Sequence, residues 1–171
     1  MSNEERPLVS LRPWADADFS LLERLMGDPA MTEHLGGPET PEQLRKRHAR
    51  YLHPAATDRI YVITVGSENI PAGSVVYWER VWQGEKIWEI GWGVLPEFQG
   101  QGLASKGTAL AIETARTERK HRYMHAFPSI KNGASNAICR KLGFELLAEY
   151  DFEYPKGHWM RCNDWRLDLF S

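Results

Sequence analysis

"WEIGWGVLPEFQGQGLASKGTALAIETAR", residues 88–116, decides the fold. It opens as a strand, with Trp88, Ile90, Trp92 and Val94 alternating with Glu89, Gly91 and Gly93. It closes as a helix over roughly 103–119, with Leu103, Gly107, Leu110, Ala111 and Thr114 on one face. Gly100 and Gly102 stand at the handover, flanked by Gln99 and Gln101. A helix that starts near Gln101 or Gly102 leaves its first N–H groups without intrahelical acceptors. Its dipole adds about half a positive charge there. No acidic residue falls between Gln99 and Ser105, and Lys106 adds a cation. The junction therefore suits an anion, and phosphate is the usual one.

The flanking sequence supplies the other elements. "LVSLRP" (8–13) alternates as a strand, and "DADFSLLERLMG" (16–27) follows as a helix capped by Asp16 or Asp18. "DPAMTEHLGGPET" (28–40) is a loop. "TPEQLRKRHARYL" (40–52) is a solvated helix that starts at Thr40 with Pro41 in its first turn. "RIYVITVG" (59–66), "AGSVVYWERV" (72–81) and "EKIWEIGWGVL" (85–95) read as an antiparallel meander, because the linkers are too short for crossovers. "HRYMHAF" is a short strand and "NGASNAICRKLGF" (132–144) a helix that stops at Gly143. "ELLAEYDFEY" and "HWMRCNDWRLDLF" are two strands joined through "PKG". The order β-α-α-β-β-β-α-β-α-β-β predicts one α/β or α+β domain over residues 1–171.

Bulk properties narrow the function. The 171 residues carry a formal net charge of −2, so no global field attracts nucleic acid or an anionic membrane. No stretch reaches the ~20 apolar residues of a membrane span. The opening "MSNEERPLVSLRP" has no apolar run, so no signal peptide is expected and the location expected is cytoplasmic. Cys139 and Cys162 are far apart, in no pattern of zinc ligands, and are expected as reduced thiols with no metal.

Of the phosphate-binding patterns, GxxxxGK[ST] is absent. A GxGxxG fingerprint fails at Ser105, and its strand belongs to a meander. An ordinary glycine turn would also fit "GQG" taken alone. The segment "QGQGLA", Gln99 to Ala104, resembles the [RQ]-x-x-G-x-[GA] signature of the GNAT superfamily of N-acetyltransferases. "EIGWGVLPEFQGQGLASKG" is similar to the strand, bulge, loop and helix of that family's Rim-type branch, named for ribosomal-protein acetyltransferases. "NGASNAICRKLGF" resembles its N-x-x-S…K-x-G-F segment, and "GDPAMTEHLGG" the loop between its first two helices. The likeness runs from Val9 to Leu169. It implies a mixed, mostly antiparallel sheet of about seven strands flanked by about four helices.

The resemblance implies acetyl-CoA as co-substrate and direct transfer to a primary amine, without an acyl-enzyme. Gln99, Gly100, Gln101, Gly102, Leu103, Ala104 and Ser105 would hold the pyrophosphate. Gly93, Val94 and Leu95 would hold the pantetheine arm through backbone groups, and the Val94 amide would stabilise the oxyanion. Asn132 and Ser135 match residues beside the coenzyme; Asn132 also suits a helix N-cap. Cys139 stands where many members have the tyrosine that protonates the leaving thiolate, so Cys139, Ser135 or water is the candidate acid, while a helix cysteine also suits a small buried packing position. Glu89 matches a glutamate of Rim-like relatives and is the candidate base. It shares a strand face with Gly91 and Gly93, an opening rather than a wall. His125 on the next strand is the alternative base.

By the same resemblance the acceptor enters between Met31–Gly37 and Tyr154–Trp159, where Glu33 and His34 would meet an amine. Trp78, Trp88, Trp92 and Trp159 offer an aromatic wall, although tryptophan is also core material. The wall suits a small apolar or aromatic amine or a peptide N-terminus. Other readings are transfer of another acyl group such as succinyl, and a non-catalytic CoA-binding sensor. Homodimers are common in the family.

Overall fold

The computed structural model describes residues 8–171; the opening "MSNEERP", where no signal peptide is expected, lies outside them. Along the chain, β1 (Val9–Pro13) leads through a 3-10 turn (Asp16–Asp18) to α1 (Phe19–Met26) and α2 (Pro41–Leu52). The meander β2 (Asp58–Val65), β3 (Ile70–Trp82) and β4 (Glu85–Val94) follows. Next come α3 (Leu103–Glu118), β5 (Tyr123–Ala126), α4 (Gly133–Lys141), β6 (Glu145–Glu153) and β7 (Trp159–Asp168). The element order is the expected one.

Local chemistry fixes the ends of these elements. The Gln43 N–H donates to the Thr40 hydroxyl at 3.2 Å, and the Thr40 N–H donates to Gln43 Oε1 at 2.8 Å. This capping box starts α2 and contributes about 1 kcal/mol. Asp18 is not a side-chain cap of α1, contrary to expectation. Its carboxylate accepts two 2.8 Å bonds from Arg12 and one of 2.7 Å from the Ala15 N–H, tying β1 to the turn. At the β3–β4 turn, Gln83 and Gly84 both take positive φ, the backbone of a two-residue hairpin.

The sheet order is β1-β2-β3-β4-β5-β7-β6. Every neighbouring pair is antiparallel except β4–β5. Those two strands pair only at Trp88/Met124 and Glu89/His125, and then part. One face of the sheet packs on α3 and α4 through a core that includes Ile63, Val75, Tyr77, Trp88, Ile90 and Phe144. The other face buries Ile60 and Val62 beneath Leu22 and Leu25 of α1 and Leu44 of α2. Among the described residues, no helix is long and apolar enough to cross a membrane.

The bulge expected in β4 is absent. β3 and β4 keep continuous register from Gly73/Val94 to Trp82/Glu85. The irregularity falls instead between β2 and β3, where Ile63 pairs with Gly73 but Thr64 pairs with Pro71. There the chains approach so closely that a Cβ on Gly73 would lie 2.2 Å from Gly93 O and 2.9 Å from Val94 Cα. Only glycine fits that contact without a backbone shift.

Candidate active site

Where β4 and β5 part, a cleft of about 780 Å³ runs through the sheet. Gly100, Gly102, Leu103, Ala104 and Ser105 line one end, with Asn132, Ala134, Ser135 and Ile138 beside them. The other end is lined by Leu25 and Met26 of α1, Met31, His34 and Leu35 of the following loop, and Tyr51 of α2.

The glycine junction forms an open cradle. Gly100 and Gly102 have φ of +78° and +75°, and a Cβ on Gly100 would meet nothing within 4 Å. The first bond of α3 runs from the Lys106 N–H to Gly102 O at 3.1 Å. The amides of Leu103, Ala104 and Ser105 therefore precede the helical ladder. Gln99 lines the cleft and braces the loop, its Nε2 donating to Val94 O at 2.9 Å. Gln101 is exposed at the crest of the loop and does not line the cleft.

Strand alternation decides which backbone groups face the parting. The Leu95 N–H donates to Ala72 O at 2.8 Å, toward β3. In an antiparallel pair the next residue turns its N–H the opposite way. Val94 therefore aims its amide away from β3, into the space left where β5 diverges. Gly93 and Leu95 turn theirs to β3. This corrects the expectation that all three residues offer backbone groups to one ligand.

On α4 the Asn132 side chain caps the helix, Oδ1 accepting from the Ser135 N–H at 3.1 Å. That bond fixes the amide orientation, because an N–H needs an acceptor, and leaves Nδ2 as a donor at the cleft. Ser135 lines the cleft as well. Cys139, one turn further on, does not. It is fully buried in the core, and burial pushes its thiol up to about 12. Sealed in the core, it is out of reach of a thiolate departing in the cleft. Cys139 is thus a packing residue, and the expectation of an acid there is corrected.

Glu89 sits at the vertex where the strands part, beside Trp78, with which it is in register. Arg80 Nη1 donates to Glu89 Oε1 at 2.5 Å. Burial drives the Glu89 pKa up; the Arg80 bond and charge, and the charge of His125, oppose it, and the net direction is upward. The face beside Glu89 is only partly open. A Cβ on Gly91 would meet the Trp78 ring at 3.8 Å, and one on Gly93 would meet Leu25 at 3.6 Å. His125 is buried, with Nδ1 2.6 Å from Asp164 Oδ1, and is not part of the cleft lining.

The tryptophans separate. Trp78 lines the cleft on the α1/α2 face of the sheet. Trp92 also lines it, but from the α3 face, packed against the core there. Trp88 is fully buried core, and Trp159 is 65% exposed at the start of β7. Neither joins the wall expected of them. His34 lines the cleft, whereas Glu33 is exposed beside it, its carboxylate 3.8 Å from His34 Nε2. Among the described residues, no group of three or more His, Cys, Asp or Glu is arranged to hold a metal ion.

Three positioning residues escaped the sequence reading. Gly73 lets β3 press beneath Gly93 and Val94; a glycine inside a strand pattern is the available signal for such an approach. Arg80 holds Glu89. Asn136 is buried and staples the loop before α4. Its Nδ2 donates to Ser129 O and Asn132 O at 2.9 and 2.7 Å, while Oδ1 accepts from Asn163 Nδ2 and Trp165 Nε1 at 2.8 Å each. A polar residue on the inner face of that helix is its only mark in the sequence.

Residues 9–145 match the protein family described as "Acetyltransferase (GNAT) domain". Several solved structures share the fold. An acetyltransferase (GNAT family) from Bacillus anthracis is 20% identical, with TM-score 0.80, over 95% of this chain and 96% of that one. An acetyltransferase from Salmonella typhimurium, which modifies the N-terminal serine of ribosomal protein L7/L12, is 22% identical, with TM-score 0.78, over 94% of each chain. Spermidine N-acetyltransferase from Vibrio cholerae, solved with CoA and spermine, is 15% identical, with TM-score 0.78, over 94% of this chain and 95% of that one. A search of curated proteins found no match.

Proposed function

We propose, on the premise that this chain belongs to the GNAT acetyltransferase family, that it moves the acetyl group of acetyl-CoA directly onto a primary amine. The branch favoured is the Rim type, on the likeness of residues 89–107 to its strand, loop and helix; the fold itself is shared as well with the spermidine acetyltransferase as with the L7/L12-modifying enzyme. The observation that carries the reading is the Val94 amide, aimed into the parting of β4 and β5 between the α3 cradle and Glu89.

Bound acetyl-CoA supplies an activated acyl thioester. The amides at the start of α3 hold its anionic groups, and Asn132 Nδ2 donates to its amide-bearing arm. The Val94 N–H polarises the thioester carbonyl, an interaction of a kind worth ~2.7–4 kcal/mol in the transition state. Glu89 takes a proton from the acceptor ammonium, directly or through water, and leaves the neutral amine that attacks the thioester. Ser135, the hydroxyl lining the cleft, relays a proton to the departing sulfur as its oxygen takes one from the acylated nitrogen. Fixing both reactants in one cleft supplies much of the remaining acceleration.

The test pairs calorimetric titration of CoA with thiol release from acetyl-CoA on an amine panel. Tight binding with turnover is expected. Gly100→Ala places its methyl clear of every protein atom. Strain at the positive φ costs about 1–2 kcal/mol in stability, yet CoA affinity should fall by roughly tenfold or more, because the methyl stands where phosphate oxygens would pack. Unchanged affinity would remove the cradle from the reading. Binding without turnover on any amine would favour a CoA sensor.

Cys139→Ala separates packing from chemistry. We expect a stability loss of about 1–2 kcal/mol, read in thermal melts, with kcat within threefold of the parent. A hundredfold loss of kcat with CoA binding intact would restore the thiol to the mechanism.

A further inference from the structure

The acceptor end of the cleft is apolar and its cation-binding groups are already used. Leu25, Met26, Met31, Leu35, Tyr51 and Trp78 form its walls. Its ionisable lining residues at this end are His34, Arg47 and Glu89, and among the described residues Glu89 is the sole carboxylate of the lining. That carboxylate is held by Arg80 at 2.5 Å. The Arg80 guanidinium in turn covers the faces of Trp82, Phe127 and Phe152 at 5.0, 5.0 and 5.4 Å. Arg47 is paired with Glu39 and lies 5.8 Å from the Tyr51 centroid. Within the lining, the one carboxylate and the Tyr51 and Phe127 faces are thus engaged by the protein's own arginines, while Glu33 stays outside the lining in solvent, 3.8 Å from His34 Nε2.

Trp78 is the exception. Its ring lies beside the bare backbone of Gly91, 3.8 Å from where a Cβ would stand. Ring and glycine together border the floor next to Glu89. The loop that supplies Met31, His34 and Leu35 is braced against the last hairpin, since a Cβ on Gly36 would lie 2.4 Å from Pro155 Cδ. This wall is therefore held in place.

We propose that the acceptor is a primary amine on an apolar or aromatic body that carries no second positive charge, with that body against Trp78. The proposal rests on the acetyl-transfer reading above. One ammonium reaches Glu89 and leaves as an amide. A further ammonium inside the cleft would find no second carboxylate in the lining and only the Trp78 ring face, which does not offset the desolvation of a full charge. Polyamines are therefore rejected, although a spermidine acetyltransferase shares the fold.

The experiment compares kcat/KM at saturating acetyl-CoA for phenethylamine, for a short peptide amide with N-terminal phenylalanine, and for spermidine. At least one aromatic acceptor should exceed spermidine by tenfold or more, within the range a pocket can discriminate. The better of the two distinguishes a free amine from a polypeptide end, and either supports the proposal. Trp78→Ala should raise the KM of that acceptor roughly tenfold and leave the KM of acetyl-CoA unchanged, with Trp78→Phe restoring most of the loss. Spermidine equal to or better than both aromatic acceptors would overturn the proposal. No turnover of any of the three, with CoA bound in calorimetry, would overturn it too and leave the coenzyme reading standing. Failure to bind CoA would remove both.

Discussion

Glu89→Gln should lower kcat by about a hundredfold or more, the usual contribution of a positioned general base. Glutamine keeps the shape and can still meet Arg80, so CoA affinity and the melting temperature should change little. The pH profile is the sharper readout. Burial raises the Glu89 pKa against the opposing Arg80 and His125, and the net shift is upward. The base works ionised, so activity should fall as pH drops through a value above the ordinary glutamate range. In the glutamine variant that acid limb should vanish. Stability has the opposite sign. The folded state binds this proton more tightly than the unfolded chain, so the group's contribution to stability declines as pH rises from its unfolded to its folded pKa. Full activity of Glu89→Gln across neutral pH would end the case for a base at this position.

Gly73→Ala should be nearly as damaging, although the residue lies outside the cleft lining. The added methyl would sit 2.2 Å from Gly93 O and 2.9 Å from Val94 Cα, both backbone atoms that no rotamer change can relieve. The strand must shift, and the Val94 amide shifts with it. A misplacement of about 1 Å at such a donor can cost on the order of a hundredfold in kcat. Overpacking of this kind also removes about 1–3 kcal/mol of stability. CoA affinity should suffer less, because the α3 cradle and Asn132 lie on other elements. Steady-state kinetics, CoA titration and a thermal melt on one preparation separate the three effects. Turnover within twofold of the parent, with an unchanged melting temperature, would make the contact functionally idle.

Local patterns made most of the fold legible. Alternation marked β2, β3 and β4, and Thr40, Pro41 and Gln43 announced the start of α2. The glycines at 100 and 102 located the cradle because their role is local backbone geometry, and local geometry is written in neighbouring residues. What stayed hidden depends on contacts between distant segments. Leu95 lost its place among the backbone donors because its amide is taken by Ala72. Cys139 was a candidate acid by its place in a motif, but it shares the buried side of α4 with Asn136. Trp78 and Trp92 looked alike, yet they belong to opposite faces of the sheet. Arg80 had no mark at all, since a charged residue on a strand reads as solvated until its partner is known.

The parting of β4 and β5 has a mechanical consequence. In backbone pairing, only Trp88/Met124 and Glu89/His125 join the meander to the β5–β7–β6 half of the sheet, although Trp82 and Gln83 also donate across to Asp164 and Tyr150. The two halves are joined by a seam two residues long, while every other junction in the sheet is a longer antiparallel ladder. The seam is therefore the line along which separating the halves would break the fewest ladder hydrogen bonds. Glu89 is one of its two stitches. The carboxylate proposed to take the proton thus sits on the most sparsely bonded line of the sheet, and Arg80 ties it to the meander side.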